Sequence, residues 1–366
     1  MAIELLGLPR NQLEQTLGTL GVPAHHAGRV FSTLHRHLLP ASQAPHLGHA
    51  AAVLAAHTRT TQLQITGRHR ANDGTTRLVF TLEDGARIEG VLLPNRSHKR
   101  VTLCLSSQVG CAMGCQFCAT GTLGLTRNLT AGEIVAQVHA ARTELAGTDR
   151  RLTRLVFMGM GEPMHNAQAV GDAIDILLDS HGQPLARRNI TVSTVGHIRG
   201  LRRLSERFGG RVQLAISLHA GTQATRERIL PLARSVSLAE LRAAVVEWDP
   251  DHQQPLMLEY VLLPGVNDTP AEWDGLARWA EGLNAIVNLI PFNPFPGSPF
   301  RSPDRTEIRT AYRALGQRGI RNSVRWPRGR DAQGACGQLM LAESVTPQTG
   351  GPPGDPDPAS SPAAAG

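Results

Sequence analysis

The sequence predicts an α/β protein: a partial TIM-type (β/α)6 barrel that follows a small domain of helices and antiparallel strands. From residue 101 onward, apolar strand-like segments alternate with helical segments, which is the pattern of parallel strands joined by crossover helices. These strands are apolar nearly throughout, as parallel strands buried on both faces are. Distinctive polar residues stand at their carboxyl ends, where barrels place active sites. This last observation favours a barrel over an open doubly wound sheet.

Residues 1–95 are predicted to form an N-terminal accessory domain. Leucines at helical spacing predict two helices separated by the turn at Gly21-Val22-Pro23, and a third helix follows at 50–58. Between residues 61 and 95, alternating segments and two Asp-Gly turns predict a small antiparallel sheet. The second helix carries several histidines and arginines, which fit an RNA-facing surface and a solvated face equally well.

Residues 96–343 are predicted to form the core domain. Its six main strands are predicted at 101–105, 152–158, 189–194, 212–218, 256–262 and 285–290, and a short strand at 322–326 completes it. The first crossover helix, 131–145, is opened by Thr130 with Glu133 three residues later, a capping box. Residues 344–366 are rich in Pro, Gly, Ala and Ser, which predicts a disordered tail.

Composition narrows the class of protein. The 366 residues include 37 Lys and Arg against 30 Asp and Glu, and the net charge of +7 suits a polyanionic partner as well as a merely solvated surface. No segment reaches the roughly 18 apolar residues of a membrane span, and the start lacks a signal-peptide pattern. We therefore expect a cytoplasmic protein. The five cysteines are few and odd in number, so they are no disulfide framework.

Three of the cysteines, Cys111, Cys115 and Cys118, have the spacing C-x3-C-x2-C. Thiolates are soft ligands that select iron–sulfur clusters, zinc or copper. A four-iron cluster normally takes four cysteines, so three would leave one iron with an open position. A zinc knuckle completed by a distant ligand is the alternative that these three residues alone leave open.

This spacing resembles the signature of radical S-adenosylmethionine (SAM) enzymes, and longer segments resemble the RlmN/Cfr family of radical SAM methyltransferases, which act on rRNA adenine. The resembling segments are TLCLSSQVGCAMGCQFCATG, FMGMGEP, ITVSTVG, AISLHA, VNLIPFNPFPG and ACGQL. They lie within a resemblance that extends over nearly the whole chain, to about residue 341. The resemblance implies a radical SAM barrel with a [4Fe-4S] cluster on Cys111, Cys115 and Cys118 and SAM at the open iron.

The resemblance also implies a set of SAM-binding residues at successive strand ends. Gly161 and Glu162 would hold the amino group of SAM, since a carboxylate suits an ammonium. The ribose and carboxylate would be lined by Ser193, Ser217, Leu218 and His219, and Asn293 would reach the adenine or ribose. Taken singly, such polar residues are more often caps or turn formers than ligands.

The remaining cysteines, Cys336 and Cys104, gain catalytic roles only through the resemblance. A first SAM would methylate the Cys336 thiolate, a competent nucleophile, and a 5′-deoxyadenosyl radical from a second SAM would remove a hydrogen from that methyl group. The methylene would add to the adenine carbon, and Cys104 would release the product by forming a disulfide with Cys336. Glu89 matches the family's proton acceptor. The alternatives are two buried apolar cysteines and a solvent-facing glutamate.

These implications predict a methyltransferase of the RlmN type that acts on C2 of an adenine in 23S rRNA, with tRNA as a second candidate substrate. The alternative chemistry is Cfr-type methylation of C8, and the alternative class is a non-catalytic zinc or iron–sulfur RNA-binding module. We expect a monomer that takes electrons from flavodoxin or ferredoxin. The basic run Arg318, Arg321, Arg325, Arg328 and Arg330 is expected to contact RNA phosphates, unless it is a solvated helix end.

Overall fold

The structure is a computed structural model that describes residues 2–95, 97, 99–249, 251 and 254–340. The predicted tail at 344–366 lies outside these residues. Within the described part, no helix is long and apolar enough to cross a membrane. The six main strands of the predicted core domain begin and end within one residue of their predicted positions.

Strands and helices alternate along the described chain. The strands are β1 (Ile3–Glu4), β2 (Thr58–Arg59), β3 (Gln64–Arg70), β4 (Thr76–Thr81), β5 (Arg87–Pro94), β6 (Arg100–Cys104), β7 (Gln108–Cys111), β8 (Gly124–Asn128), β9 (Arg151–Phe157), β10 (Ile190–Thr194), β11 (Gln213–Ser217), β12 (Leu256–Leu262), β13 (Ala285–Pro291) and β14 (Asn322–Val324). The helices are α1 (Arg10–Thr19), α2 (Ala27–His35), α3 (Ala50–His57), α4 (Ala131–Leu145), α5 (Ala167–Leu178), α6 (Ile198–Phe208), α7 (Gln223–Ile229), α8 (Leu238–Trp248), α9 (Pro270–Ala280) and α10 (Arg305–Gln317).

One ten-stranded sheet organises the fold, in the order β14-β13-β12-β11-β10-β9-β6-β5-β4-β3. Within this sheet, β6 and the strands β9 to β14 pair in parallel. The strands β3, β4, β5 and β6 pair antiparallel. The predicted partial barrel is therefore confirmed, with β14 as a seventh parallel strand. The predicted antiparallel strands are also confirmed, and they extend the barrel sheet because β5 pairs with β6.

The crossover helices pack on the sheet through one apolar face each. In α5, Val170, Ile174 and Leu177 are buried at helical spacing, and burying each such side chain contributes on the order of 1.5–3 kcal/mol. The predicted capping box of α4 is present: the Glu133 amide donates to Thr130 Oγ1 at 3.1 Å, and the Thr130 amide donates to the Glu133 carboxylate at 2.8 Å. This cap fixes where α4 begins after the cysteine loop.

The second N-terminal helix packs inward. His35 is buried, and its ring centroid lies 4.3 Å from that of Phe31. Arg36, directly after α2, donates to the carbonyls of Ser180 and Gly182, each at 2.9 Å. For His35 both the RNA-facing and the solvated interpretations are wrong, because its side chain is buried. Arg36 is exposed, and its hydrogen bonds hold the turn at 180–182.

A short hairpin that the sequence analysis missed, β7 with β8, flanks the cysteine loop. Gly110 has φ +77°, and a Cβ there would lie 1.9 Å from the carbonyl oxygen of Gly124. Only glycine allows the two backbones to approach this closely. The hairpin holds both ends of the loop that carries Cys115 and Cys118.

Candidate active site

The cysteine loop is held in place by backbone hydrogen bonds to distant segments. The Gln116 amide donates to the Ile229 carbonyl at 3.0 Å, and the Ala119 amide donates to the Gly337 carbonyl at 2.7 Å. Thr120 Oγ1 donates to the carbonyl of Leu339 at 2.6 Å. The loop is therefore joined to the segment that directly follows Cys336.

The three cysteines of the motif line one cavity of about 150 Å³ at the carboxyl ends of the strands. Burial raises the pKa of Cys111 to about 12 and that of Cys115 well above its ordinary value, with the neighbouring thiols adding to the effect. Three thiolates can therefore coexist here only with a compensating positive centre.

The arrangement of the three cysteines bears on which metal group they could hold. Among the described residues, no group of three His, Cys, Asp or Glu side chains is gathered around one metal position. In a four-iron cluster each thiolate binds a different iron, so its ligands surround a body rather than a point. Three thiols around the wall of one cavity fit such a cluster.

The turn after β9 places Glu162 in the same cavity. Gly161 has φ +101°, and a Cβ there would lie 2.6 Å from Cβ of Gln108, so the turn requires glycine. The Glu162 amide donates to Gln108 Oε1 at 2.8 Å. Gln108 thus fixes the backbone from which the Glu162 carboxylate projects.

The Glu162 carboxylate is buried and accepts two backbone hydrogen bonds. The amides of Met164 and Val195 donate to its two oxygens, each at 2.9 Å. Burial raises the pKa of Glu162, and these hydrogen bonds oppose the increase. Each oxygen retains capacity for a further donor, so the group suits an ammonium brought into the cavity.

The next two strand ends complete this wall. Ser193 and Ser217 line the cavity, and their hydroxyl oxygens lie 3.3 Å apart. Leu218 does not line it: its side chain is fully buried, and its carbonyl accepts from Arg226 Nε at 3.2 Å. Leu218 therefore contributes backbone to this strand end, whereas the two serines present hydroxyls to the cavity.

His219 links the strand ends to the cysteine loop. Its Nδ1 accepts from the Val261 amide at 3.0 Å, which leaves the proton of the neutral ring on Nε2. Burial, together with the charge of Arg226, lowers the pKa of His219 to about 3. The ring meets Phe117 of the cysteine loop edge-on, with centroids 4.4 Å apart. The neutral imidazole thus acts as packing for this loop.

Asn293 lines the cavity and also holds the Cys336 loop. Its Nδ2 donates to the Cys336 carbonyl at 3.1 Å, and its Oδ1 accepts from Arg330 Nε at 2.8 Å. The side-chain amide is therefore already engaged on both sides. Its adenine- or ribose-binding role stays a prediction, and its observed contacts position Cys336.

Cys336 is exposed and lies where two cavities meet. It lines the cavity of the three cysteines and also a larger one, of about 510 Å³, that contains Cys104. Burial, with a smaller contribution from Cys336, raises the pKa of Cys104 to about 12, and the charge of Arg325 opposes the increase. Both cysteines line the larger cavity, and both are free thiols in this structure.

Comparisons with known proteins agree with this geometry. Residues 105–279 match the model of the radical SAM superfamily. A "Dual-specificity RNA methyltransferase RlmN" of Anaeromyxobacter dehalogenans is 40% identical over 96% of this chain and 94% of its own length, and its Phenylobacterium zucineum counterpart is 45% identical over 75% and 72%. This chain belongs to the RlmN family. A crystal structure of a radical SAM methyltransferase from Sphaerobacter thermophilus, 41% identical, superposes with a TM-score of 0.84 over 92% of this chain and 99% of that one.

One residue with a predicted role in RlmN chemistry lies behind the two cavities. Glu89 is fully buried, accepts from Arg77, and lines neither cavity. Arg77 Nε in turn donates to the Ala332 carbonyl at 2.8 Å. The second oxygen of Glu89, Oε2, has no hydrogen-bond partner among the described residues. Its role as proton acceptor stays a prediction.

Arginines of the basic run before Cys336 form ion pairs within the protein. Arg318 pairs with Asp274 at 2.7 Å, and Arg328 pairs with Asp73 at 3.2 Å. Arg325 lies 3.7 Å from the Glu259 carboxylate inside the barrel. Each of these three side chains therefore has an acidic partner within the protein, and contact of the run with RNA phosphates stays a prediction.

Sequence reasoning missed two residues of the RlmN site. Gln108 supports Glu162, and only its place three positions before Cys111 could have suggested it. Arg226 is fully buried, and its Nη2 donates to the Val195 carbonyl at 2.6 Å. No local signal marks Arg226, because it stands in a short helix among exposed-looking polar residues.

Proposed function

We propose that this RlmN-family protein is a SAM-dependent RNA methyltransferase that methylates C2 of an adenine in 23S rRNA through a methylated Cys336. The observation that carries the proposal is the position of Cys336, which borders both the cavity of the three cysteines and the cavity of Cys104. A group carried on its sulfur can therefore be reached from the SAM side and face a base on the other side. The relatives are named dual-specificity RNA methyltransferases, which supports tRNA as a second substrate.

The cofactors would be held by the residues around the smaller cavity. Cys111, Cys115 and Cys118 would bind the [4Fe-4S] cluster, and Glu162 would accept the ammonium of SAM beside Ser193. When bound, the cluster and SAM would supply the one-electron chemistry needed to activate a methyl group carried on Cys336. Flavodoxin or ferredoxin would supply the electron to a cytoplasmic, monomeric enzyme.

The chain's own residues would complete the reaction. Once the methylene carbon on Cys336 has joined the adenine, the Cys104 thiolate attacks the sulfur of Cys336. An S–S bond forms, the S–C bond breaks, and the electron pair goes to the carbon, which takes a proton to become the product methyl group. Before that release, the ring carbon would lose a proton to Glu89, and the adduct would lose one electron, which the iron–sulfur cluster would accept. The disulfide must then be reduced before the next turnover.

The alternatives differ in what they ask of these residues. Cfr-type methylation would use the same thiols on C8 of the adenine, and nucleoside mass spectrometry separates the two methyladenosines. A non-catalytic zinc or iron–sulfur RNA-binding module gives no task to Glu162 or to the paired thiols. Membership of the RlmN family favours C2.

Cys104→Ala tests the proposal. It removes the thiol that would release the product and leaves Cys336 and the cysteine loop in place. We expect a covalent protein–RNA adduct through Cys336 when the anaerobically reconstituted variant reacts with SAM, reductant and rRNA. The adduct should survive a denaturing gel and disappear after nuclease treatment.

Cys336→Ala is the matched control, because it retains Cys104 but has no sulfur to carry the methyl group. It should form neither adduct nor methyladenosine. If Cys104 were a buried structural residue, its replacement would cost on the order of 1 kcal/mol of stability. Normal methyladenosine formation without an adduct in Cys104→Ala would then contradict the proposed role.

A further inference from the structure

The larger cavity extends from Cys336 to the amino-terminal end of the barrel strands, away from the cysteine loop. Its wall includes Arg154 on β9, Arg188 just before β10, and Gln213, the first residue of β11. In the β6–β9 register Cys104 pairs with Val156 and Thr102 pairs with Arg154. At about 3.3 Å per residue, Arg154 stands some 7 Å along the barrel from the level of Cys104.

This end of the cavity carries positive charge that the protein does not neutralise. Arg154 and Arg188 are exposed, and neither side chain has a hydrogen bond or ion pair with any residue that the structure describes. The acidic lining residue is Glu259, which already lies 3.7 Å from Arg325. By contrast, Arg318 and Arg328 of the basic run are both ion-paired.

An aromatic side chain lines the same cavity. Trp326 lines the cavity and is 55% exposed, more than any other large apolar side chain in the described ranges. Exposed aromatic rings beside unpaired arginines are the pairing that binds single-stranded nucleic acid, since bases stack on the ring and phosphates meet the guanidinium groups. The occupant that fits both features is an unpaired RNA strand.

We infer that the substrate RNA enters the barrel through this amino-terminal opening, with Arg154 and Arg188 on its phosphates and Trp326 stacked on a base next to the one that reaches Cys336. The inference rests on the proposed function and deepens it by assigning the RNA-binding surface. It places that surface at the opening opposite the cysteine loop, where Arg154 and Arg188 are free. From the segment that precedes Cys336 it uses the ring of Trp326 and not the ion-paired arginines.

The test measures binding of an in vitro transcribed 23S rRNA fragment with the substrate adenine in a loop to the reconstituted holoenzyme. Each cation that neutralises a single-strand phosphate adds about 0.7 to the slope of log affinity against log salt. The double variant Arg154→Gln with Arg188→Gln should therefore bind more weakly, with a slope about 1.4 smaller. Trp326→Ala should raise the Kd about fivefold or more at an unchanged slope, because a stacked base and no charge is lost.

Matched controls come from elsewhere on the surface. Arg318→Gln removes an ion-paired arginine, and Tyr312→Ala removes a 46% exposed ring on α10 that lines neither cavity. Both should bind the fragment as wild type does. The double variant Arg154→Lys with Arg188→Lys keeps both charges and should show the wild-type slope. This result separates the loss of charged contacts from a disturbed fold.

The possible failures are distinguishable. If the glutamine and alanine variants bind with wild-type Kd and slope while wild type makes methyladenosine, this inference is overturned and the proposed function stands. If wild type binds through these residues but makes no methyladenosine, the proposed function fails and the binding surface stands. Equal weakening by the two control variants would also overturn the assignment.

Discussion

Gly161→Ala tests whether the turn after β9 sets the position of Glu162. The added Cβ would lie 2.6 Å and 2.7 Å from Cβ and Cγ of Gln108 and 2.8 Å from its backbone nitrogen, at φ +101°. Overpacking of this kind costs about 1–3 kcal/mol, and an L residue in such a backbone conformation costs about 1–3 kcal/mol more. The sum, about 2–6 kcal/mol, is a large part of the 5–15 kcal/mol that stabilises a typical protein.

The same clash reaches the site. Gln108 Oε1 accepts from the Glu162 amide at 2.8 Å, and Gln108 Nε2 donates to Asn128 Oδ1 at 2.7 Å. Moving Gln108 breaks this support and turns the Glu162 carboxylate away from the amides it faces. We expect the Tm to fall by roughly 4–12 °C, at about 2 °C per kcal/mol, and SAM to bind at least tenfold more weakly in equilibrium dialysis.

Gly147→Ala is the matched control. Gly147 also has positive φ, +76°, but a Cβ there meets nothing within 4 Å, so the variant carries backbone strain without a clash. It should lower the Tm by only a few degrees, for roughly 1 kcal/mol of strain, and leave SAM binding unchanged. If Gly161→Ala melts and binds SAM as Gly147→Ala does, the steric reasoning is refuted.

Two further predictions concern stability and the metal centre. Burial, with Arg142 nearby, lowers the pKa of His35 to about 3, so the unfolded chain binds a proton near pH 6.5 that the folded chain does not, and stability is lost as pH falls below that value. His35→Phe should therefore lose about 1 kcal/mol less than wild type between roughly pH 7.5 and 5.5 in urea titrations, and an equal loss would count against it. Cys118→Ala should abolish the iron content and the visible absorption of the anaerobic protein, because each cysteine supplies a thiolate to the cluster. Stoichiometric zinc and no iron in the wild-type preparation would rule the cluster out.

Local sequence signals predicted much of the fold. The Thr130–Glu133 capping box is present as predicted, since a cap needs only residues three apart. Glu162 and Ser193 were assigned through the resemblance to the family, and their places at successive strand ends agree with it, because parallel strands bring their carboxyl ends to one edge. Both side chains do line one cavity.

Contacts between distant segments could not be predicted in this way. His35 and Arg318 are of residue types that usually lie on the surface. His35 is nevertheless buried, and Arg318 is paired with Asp274, 44 residues away. Glu89 shows the same limit, because its burial depends on Arg77 and on the loop at Ala332. Such partners are set by the register and packing of the sheet, which no short motif encodes.

The attachment of the cysteine loop to residues 337–339 has a consequence for biosynthesis. Cys111, Cys115 and Cys118 leave the ribosome more than two hundred residues before the segment that holds their loop from outside. Because chains fold from the amino terminus while they are made, a nascent chain presents these thiols without the cover that Gly337 and Leu339 provide. A cluster held on these thiols would therefore lack the hydrogen bonds that fix its loop until residues 337–339 have been made.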